Sequence, residues 1–221
     1  MISSIYITRE LVDIPQLQAF CEEHDLTLTA KSQISFDAID FEIAHPYDVV
    51  FFSSPRSVTY FLKKHPIPSK FKIGCVGKGT AIHAQRLGLT PDFVGSYSGE
   101  PLKNAQELAE WLGDRRILFP ISDISQRNLI EFIPSDQVEA VIAYSTKSSP
   151  LAIPKQDVYI FSSPSNVESF LQCNEAPNGI IIAWGKSTEN VLKAHSIHPN
   201  VTLLRSEESE LIVALSSVFS K

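Results

Sequence analysis

The sequence is poor in cysteine and has no long hydrophobic run. Its 221 residues include three cysteines, Cys21, Cys75 and Cys173, which are far apart and form no CxxC pair. The odd number and the wide spacing argue against a disulfide scaffold and a structural zinc site, so we expect a reducing, cytoplasmic setting. The longest apolar run, around Ile180–Trp184, is about a quarter of a membrane-spanning length. The N-terminus lacks a basic segment, so we expect no signal peptide, and the short apolar runs lead us to expect no membrane partner.

Basic residues are also few. Lysine and arginine number 19 against 25 acidic residues, for a formal net charge of −6. The largest basic clusters are the pairs Lys63-Lys64 and Arg115-Arg116, so no nucleic-acid-binding stripe is visible. An anionic ligand would therefore have to bind through local hydrogen-bond donors. The 43% apolar and 20% charged residues exclude a disordered chain, and the length fits one large or two small α/β domains.

An internal repeat is the most informative feature of the chain. The segment 51–62, which begins Phe-Phe-Ser-Ser-Pro, matches the segment 160–171, which begins Ile-Phe-Ser-Ser-Pro. Downstream, the segment 75–81 around Gly77-Lys78 matches the segment 183–189 around Gly185-Lys186 at nearly the same spacing. Two motifs that recur in the same order indicate two copies of one supersecondary module.

Each copy has the pattern strand, helix, strand, helix. Short β-branched and aromatic runs are typical of buried parallel strands, and each Ser-Pro pair predicts a helix start, with serine as N-cap and proline as first helical residue. The predicted strands are Ser4–Ile7, Asp48–Phe52, Phe71–Val76, Phe93–Val94, Ile117–Phe119, Val158–Phe161, Gly179–Trp184 and Val201–Leu204. The predicted helices begin at Pro55, near Thr80, at Pro164 and near Thr188, and further helices span Leu11–Cys21, Ala105–Leu112, Gln126–Phe132 and Glu207–Val218.

The alternation predicts an α/β fold of two similar, parallel-sheet, flavodoxin-like domains. Two extended stretches, 26–36 and 138–147, do not fit the alternation, and we interpret them as a two-stranded connector between domains. The first domain is then discontinuous, with residues 1–28 completed by residues 148–221. The second domain, residues 36–143, is inserted into it.

Hydroxyl groups lie at the predicted helix starts, beyond the carboxyl ends of parallel strands. Helix N-termini with exposed N–H groups bind anions, and open α/β sheets bind ligands at that edge. Any single one of these residues could be a helix cap and nothing more, but matched pairs in both modules favour a shared anion-binding role. The candidate residues are Ser53, Ser54, Thr80, Ser162, Ser163 and Thr188, with Lys78 and Lys186 as possible partners of ligand carboxylates.

Other possible chemical motifs lack the spacing or the accompanying residues that their function requires. Gly185-Lys186-Ser187-Thr188 lacks the earlier glycine of a phosphate-binding loop, and the glycines at 74, 77 and 79 do not form a dinucleotide fingerprint. His195 and His198 have no accompanying carboxylate or cysteine cluster, so we expect no metal. We interpret Cys75 as a core residue of a buried strand.

The pattern as a whole resembles the uroporphyrinogen-III synthase family. The resemblance covers nearly the whole chain through loose motifs: the Ser-Pro segment at 51–58, the glycine–threonine turn at 76–81 with Gly88 after its helix, the Asn-Ala helix start at Asn104-Ala105, Tyr144-Ser145-Thr146, and the second copies at 160–167 and 185–188. It implies a two-domain lyase that works without a cofactor and converts linear hydroxymethylbilane to uroporphyrinogen III, with loss of water and inversion of the terminal pyrrole ring.

The resemblance also selects Tyr144 as the candidate weak acid near the leaving hydroxyl. From the residues alone, Tyr144 could equally be a sheet tyrosine that packs its ring. The substrate is a linear tetrapyrrole with eight carboxylates, which helix N-termini and hydroxyls can bind without a basic protein. We expect a monomer with this small molecule as its partner. The alternative is a non-catalytic two-domain module that binds an anionic small molecule.

Overall fold

The computed structural model describes residues 2–68, 70–97, 100–125, 129–205 and 207–219. The chain divides into two compact units. Unit 1 comprises Met1–Ser35 and Lys147–Lys221, and unit 2 comprises Phe36–Thr146. Each unit is an α/β structure in which short, buried strands alternate with amphipathic helices.

The elements follow one another in a regular order along the chain. They are β1 (Ser4–Ile7), α1 (Pro15–Glu23), β2 (Thr27–Ala30), β3 (Ile34–Ala38), β4 (Val49–Phe52), α2 (Pro55–Leu62), β5 (Lys72–Cys75), α3 (Lys78–Arg86), β6 (Phe93–Val94), α4 (Pro101–Leu112), β7 (Ile117–Ser122), β8 (Val138–Ser148), β9 (Val158–Phe161), α5 (Pro164–Phe170), β10 (Ile180–Ala183), α6 (Lys186–Ala194), β11 (Val201–Thr202) and α7 (Glu208–Phe219). Short 3₁₀ turns lie at Leu11–Asp13 and Ile130–Phe132.

The strands form two sheets of matching topology. The sheet of unit 1 has the order β11-β10-β9-β1-β2, and the other sheet has the order β3-β8-β7-β4-β5-β6. The pairings of β1 with β2 and β9, of β10 with β9 and β11, of β4 with β5 and β7, and of β7 with β8 are all parallel. Strands β11-β10-β9-β1-β2 correspond one by one to β6-β5-β4-β7-β8. The two sheets therefore share one strand order, but the strand that comes first in sequence has a different position in each. The predicted flavodoxin-like α/β class is confirmed.

Alternating side chains along the central strands fill the two faces of each sheet. In β4, Val50 and Phe52 pack in one apolar cluster, while Val49 and Phe51 pack in another. In β1, Ile5 and Ile7 lie in one cluster and Tyr6 in a second one. Since successive strand residues point to opposite faces, each sheet is covered by helices on both sides. Continuous apolar runs in the sequence are therefore the signature of these strands.

Local sequence sets the helix starts. Ser54 and Ser163 take extended backbone conformations and cap α2 and α5, and in each case the next residue is a proline at the first helical position. The Ser54 Oγ accepts a hydrogen bond from the Ser57 backbone N–H at 3.1 Å. The predicted Ser-Pro helix starts are confirmed, because the cap and the proline both act within one turn.

The two copies end their glycine-turn helices in the same way with different residues. After α3, Gly88 has φ +84°, and at the matching place after α6, Ser196 has φ +60°. This left-handed conformation closes a helix and suits glycine, whereas a residue with a Cβ adopts it at a cost. The second copy therefore carries local strain that the first copy avoids.

The stretch 26–36 differs from the single extended crossing that the sequence predicts. It contains β2, an edge strand of the unit 1 sheet, and then β3, a strand of the other sheet. Between them, the backbone N–H groups of Ser32 and Gln33 donate to the Glu10 and Asn166 side chains instead of to a neighbouring strand. These long-range acceptors interrupt the strand. The stretch from Val138 is β8, which pairs along β7.

Two predicted helices also differ. The prediction over Leu11–Cys21 is wrong at its start, because Pro15 begins a new helix and the preceding residues form only a 3₁₀ turn. Proline favours the first helical position, because the backbone N–H that it lacks would have no intrahelical acceptor there. Of the predicted helix Gln126–Phe132, residues 126–128 lie outside the described residues, and Ile130–Phe132 is a 3₁₀ turn.

Candidate functional site

Two glycine-capped turns open helices at the carboxyl ends of β5 and β10. α3 begins after Gly77 and α6 after Gly185, and neither helix has a side-chain cap. The first helical hydrogen bonds run from the Ala81 N–H to the Gly77 carbonyl and from the Glu189 N–H to the Gly185 carbonyl. The three N–H groups before each of these bonds belong to the positive end of the helix. Each turn therefore offers donors to an anion at the ligand-binding edge of its own sheet.

Thr80 and Thr188 are the third residues of these two helices. Their exposed fractions are 5% and 3%, so both side chains are nearly buried. Within the described ranges, neither hydroxyl has a hydrogen-bond partner in the protein. Neither hydroxyl oxygen is a fully buried atom, so each reaches the protein surface, where a ligand or water can bond to it. The structure gives both predicted threonines the same position within their own units.

The two lysines of the turns differ in their charge environment. Lys186 Nζ lies 2.9 Å from Glu189 Oε2, and Lys193 Nζ also pairs with this carboxylate. The two ammonium groups lower the pKa of Glu189 to about 2, so its charge persists at every ordinary pH. Lys78 is exposed, and no carboxylate in the described part of the chain lies within ion-pair distance of its Nζ. Among the described residues Lys78 therefore has no ion-pair partner, whereas Lys186 shares the single negative charge of Glu189 with Lys193.

Ser54 and Tyr144 are two predicted site residues that the fold brings together. The Ser54 Oγ and the Tyr144 Oη are 3.3 Å apart, within hydrogen-bond reach. Ser54 is fixed because it caps α2, and Tyr144 lies on β8 and is 7% exposed. The neighbouring Ser53 is half-buried, and its hydroxyl has no partner among the residues that the structure describes.

A β-bulge in β8 sets the position of Tyr144. Ile121 of β7 lies opposite Ile142, but the next residue of β7, Ser122, lies opposite Tyr144, so β8 holds one extra residue at Ala143. In a regular strand Ala143 would lie opposite Ser122, so the bulge moves Tyr144 into that position. Bulges often redirect a side chain next to a functional site. The β8 bulge turns the Tyr144 ring toward Ser54.

An aromatic cluster that the sequence did not indicate surrounds Tyr144. The Tyr60 ring of α2 stacks on the Tyr144 ring, with centroids 5.1 Å apart, and the Phe36 ring meets Tyr144 edge-on at 6.0 Å. The Arg56 guanidinium lies over the Phe36 ring at 4.1 Å, and no acidic side chain of the described chain pairs with it. The only sequence signal for this cluster is that Arg56 and Tyr60 follow the Ser-Pro motif at helical spacing.

Ser162 and Ser163, the repeat partners of Ser53 and Ser54, are engaged within unit 1. The Ser162 Oγ donates to the Thr8 carbonyl at 2.8 Å, and its backbone N–H donates to the Thr8 hydroxyl. The Ser163 Oγ accepts from the Asn166 side chain at 2.9 Å and caps α5. The Ser162 bonds tie the ends of β1 and β9 together, a role that its repeat partner Ser53 lacks among the described residues, whereas Ser54 and Ser163 both cap helices.

The remaining candidates have structural explanations. Cys75 is buried in β5 as predicted, and burial raises the pKa of its thiol to about 12. His195 lies 3.0 Å from Glu168. The part of the chain that is described holds no group of three or more potential metal-ligating side chains, and none of its helices is long and apolar enough to cross a membrane. A cavity of about 950 Å³ lies at the opposite edge of the unit 2 sheet, near Tyr47, Lys72 and Trp111, away from the predicted residues.

The fold and the paired turns define a class: a two-unit α/β protein with flavodoxin-like sheets and a glycine–threonine turn on each. The family model described as Uroporphyrinogen-III synthase HemD matches residues 20–212. The chain belongs to the uroporphyrinogen-III synthase family, whose members are cyclising lyases of haem biosynthesis that act on a tetrapyrrole.

Solved structures agree with this family in fold. The crystal structure of uroporphyrinogen-III synthetase from Helicobacter pylori is similar with a TM-score of 0.70 and 18% identity, over 98% of this chain and 100% of that chain. A mutant uroporphyrinogen III synthase from the extremely thermophilic bacterium Thermus thermophilus is similar with a TM-score of 0.55 and 14% identity, over 99% and 100% of the two chains. No curated protein matches the sequence significantly. The comparisons support synthase function and give no support to the non-catalytic alternative.

Proposed function

We propose that the chain closes hydroxymethylbilane into uroporphyrinogen III by binding substrate carboxylates at the Thr80 and Thr188 turns, while the Tyr144 phenol assists departure of the terminal hydroxyl. The observation that carries this proposal is the matched pair of threonines. Both are nearly buried, both open glycine-capped helices, and in the described chain neither hydroxyl has a protein partner. The free N–H groups and a hydroxyl of each turn form a carboxylate site without a net basic surface.

The other binding residues contribute according to their existing bonds. Ser53 and Lys78 have no side-chain partner in the described chain, so their full hydrogen-bonding capacity is available to a substrate carboxylate. Ser54 contributes through its contact with Tyr144. Ser162, Ser163 and Lys186 also belong to the proposed binding set, and we expect smaller contributions from them, since each is already engaged by groups of unit 1.

The proposed chemistry begins at the hydroxymethyl group. The Tyr144 O–H donates its proton to the hydroxyl oxygen as the C–O bond breaks, so that the leaving group is water. The electron pair of the pyrrole nitrogen stabilises the carbon that remains, which makes it an electrophile. The substituted α-carbon of the terminal pyrrole then attacks this electrophile, and the bond from that carbon to its original bridging methylene breaks and re-forms at the free α-carbon. The proton that the free α-carbon loses returns the Tyr144 phenolate to the phenol. Atoms and electrons balance with loss of one water, so the reaction requires no cofactor.

The enzyme's main contribution is then conformational. The activated substrate also closes without rearrangement, so the protein must hold the two chain ends in the geometry that inverts the last ring. Many carboxylates held at fixed helix starts provide that control, because each fixes one pyrrole side chain in place.

We also propose that the protein acts as a cytoplasmic monomer whose partner is the small-molecule tetrapyrrole and that it binds no nucleic acid. Cys21, Cys75 and Cys173 are all free thiols, which suits a reducing compartment. Light scattering of the purified protein at micromolar concentration tests the monomer.

The deciding assay follows the disappearance of freshly prepared hydroxymethylbilane and resolves the product isomers by chromatography. We expect rapid formation of the rearranged type III isomer. A product that consists of the unrearranged isomer at the spontaneous rate would overturn the proposal, and tight binding without acceleration would favour a non-catalytic module.

A further inference from the structure

The Tyr144 phenol is weakly held by its own hydrogen bond. Its oxygen lies 3.3 Å from the Ser54 Oγ, which is longer than the usual O–H···O distance of about 2.7–2.8 Å. A proton donor must be held within a few tenths of an ångström and a narrow angle to act on a leaving group. Contacts to the Tyr144 ring must therefore supply most of its orientation.

Tyr60 supplies the largest ring contact. Its ring is stacked on the Tyr144 ring with centroids 5.1 Å apart and an interplanar angle of 22°. Phe36 approaches the Tyr144 ring at 66°, from a different direction. A face contact and an edge contact together restrict rotation of the Tyr144 ring about both side-chain torsions.

Tyr60 is itself anchored at its far end. Its hydroxyl donates to the Phe36 carbonyl at 2.9 Å, and its Cα belongs to α2, the helix that Ser54 caps. The Lys63 ammonium lies over the Tyr60 ring at 4.4 Å. One helix therefore presents both the hydroxyl and the ring that contact Tyr144.

We propose that Tyr60 is a positioning residue, whose anchored ring holds the Tyr144 phenol in the orientation from which it donates a proton to the leaving hydroxyl. The inference rests on the proposed function of Tyr144. Tyr60 acts through Tyr144 and makes no contact with the reacting atoms. We expect its effect on the chemical step, since its ring and hydroxyl contact Tyr144, Phe36 and Lys63, none of which belongs to the Thr80 or Thr188 turn.

The test is a double-mutant cycle with separate measurement of kcat and KM for hydroxymethylbilane. Tyr60→Leu removes the stacked ring, and we expect kcat to fall by about 10- to 100-fold with KM within twofold of wild type. Tyr60→Phe keeps the ring and loses only the anchor, so kcat falls by about two- to tenfold. In the Tyr144→Phe background, Tyr60→Leu should produce no further fall in kcat, since the phenol that it positions is gone. Tyr97→Leu, an exposed tyrosine of the same unit, is the matched control.

The outcomes separate the two proposals. If Tyr144→Phe keeps wild-type kcat, the role of Tyr144 in the proposed function fails. If Tyr144→Phe lowers kcat but Tyr60→Leu lowers kcat by the same factor in both backgrounds, the proposed role of Tyr144 is supported and positioning by Tyr60 is overturned. A Tyr60→Leu protein that raises KM and leaves kcat unchanged overturns it as well. Should Tyr60→Leu fail to fold by circular dichroism, Tyr60→Phe carries the test, and an unchanged kcat overturns the inference.

Discussion

The hydroxyl of Ser54 lies 3.3 Å from the phenol oxygen of Tyr144, although 90 residues separate them in the chain. Ser54 is the N-cap of α2, and Tyr144 follows the bulge of β8, so a helix start and a redirected strand meet at these two oxygens. Both residues belong to unit 2, which therefore holds a candidate proton donor and a hydroxyl that can orient it.

Tyr144→Phe should lower kcat by roughly 100-fold or less, because it removes the donor and keeps the ring. The effect is modest since the substrate has its own tendency to lose water. Turnover at saturating substrate, with isomer analysis, measures it, and the melting temperature should stay near the wild-type value. Tyr97→Phe is a control at an exposed position of the same unit. Wild-type turnover in Tyr144→Phe would show that Tyr144 only packs its ring in the sheet and donates no proton.

Thr80→Val and Thr188→Val should each weaken binding of the tetrapyrrole product by about fivefold, because each removes one hydroxyl and leaves the backbone donors of its turn. The two turns belong to different units, so the double variant should weaken binding by about 25-fold if the effects add. Fluorescence titration with the product gives the dissociation constants. Thr90→Val, at an exposed loop position, serves as the control. Unaltered affinity in the double variant would mean that the substrate binds elsewhere.

Glu189→Gln should lower KM for hydroxymethylbilane by about two- to fivefold. The change removes a negative charge from the first turn of α6 and frees Lys186 for a substrate carboxylate. Initial rates against substrate concentration test this, with Glu168→Gln as the same charge change on an exposed residue that pairs with His195. A higher KM would show that the Glu189 ion pairs maintain the structure of the turn, and that this matters more than their competition with the substrate for Lys186.

The same variant has a predicted pH signature in stability. The two lysines lower the pKa of Glu189 to about 2, below the 4.5 of an unpaired glutamate. Because the folded-state pKa is depressed, the carboxylate stabilises the fold above about pH 4.5, and this contribution is lost as the pH falls toward 2. The difference in melting temperature between wild type and Glu189→Gln should therefore be largest near neutral pH and vanish near pH 2.

Ser196→Gly should stabilise the protein by about 0.5–1 kcal/mol. Ser196 has φ +60°, where a Cβ is unfavourable, while Gly88 occupies the matching position of the other copy. Gly88→Ser, the reverse change, should destabilise by a similar amount. Chemical denaturation of both variants decides the point, and a Ser196→Gly protein less stable than wild type would contradict it.

Residues 36–146 should fold as an isolated fragment. They contain β4 to β8 with the helices between them, and two apolar clusters cover the faces of their sheet. A fragment of residues 36–137 lacks β8, the partner of β7, and should not fold. Circular dichroism and cooperative melting compare the two. A fragment 36–146 without a melting transition would show that unit 2 depends on the rest of the chain.

The sequence predicted those features that depend on a few neighbouring residues. The Ser-Pro helix starts at Ser54 and Ser163 are local, because a cap and a proline act within one turn, and the apolar runs of β4 and β9 identify buried strands without knowledge of their partners. The repeat then indicated the matched turns at Thr80 and Thr188. These elements account for most of both sheets.

The sequence could not predict contacts between distant segments. The β8 bulge depends on the register of β8 against β7, and the stack of Tyr60 on Tyr144 joins α2 to β8. A hydrogen bond joins Ser162 to Thr8. Two identical Ser-Ser pairs therefore looked equivalent, although one is engaged by a neighbouring strand and the other is not. The break in the stretch 26–36 has the same origin, since its acceptors Glu10 and Asn166 are remote in sequence.

The position of β1 in its sheet has a consequence for synthesis of the chain. β1 lies between β2 and β9, and its register partner Val158 is more than 150 residues beyond Ile5. While the ribosome is still adding residues of unit 2, the N-terminal strand can pair only with β2, and its other edge stays open. All residues of unit 2, including the part of β8 that pairs with β7, are present once Thr146 has emerged, so unit 2 can fold first. Unit 1 is therefore completed after unit 2, and during this interval the open edge of β1 can pair with a strand of another chain.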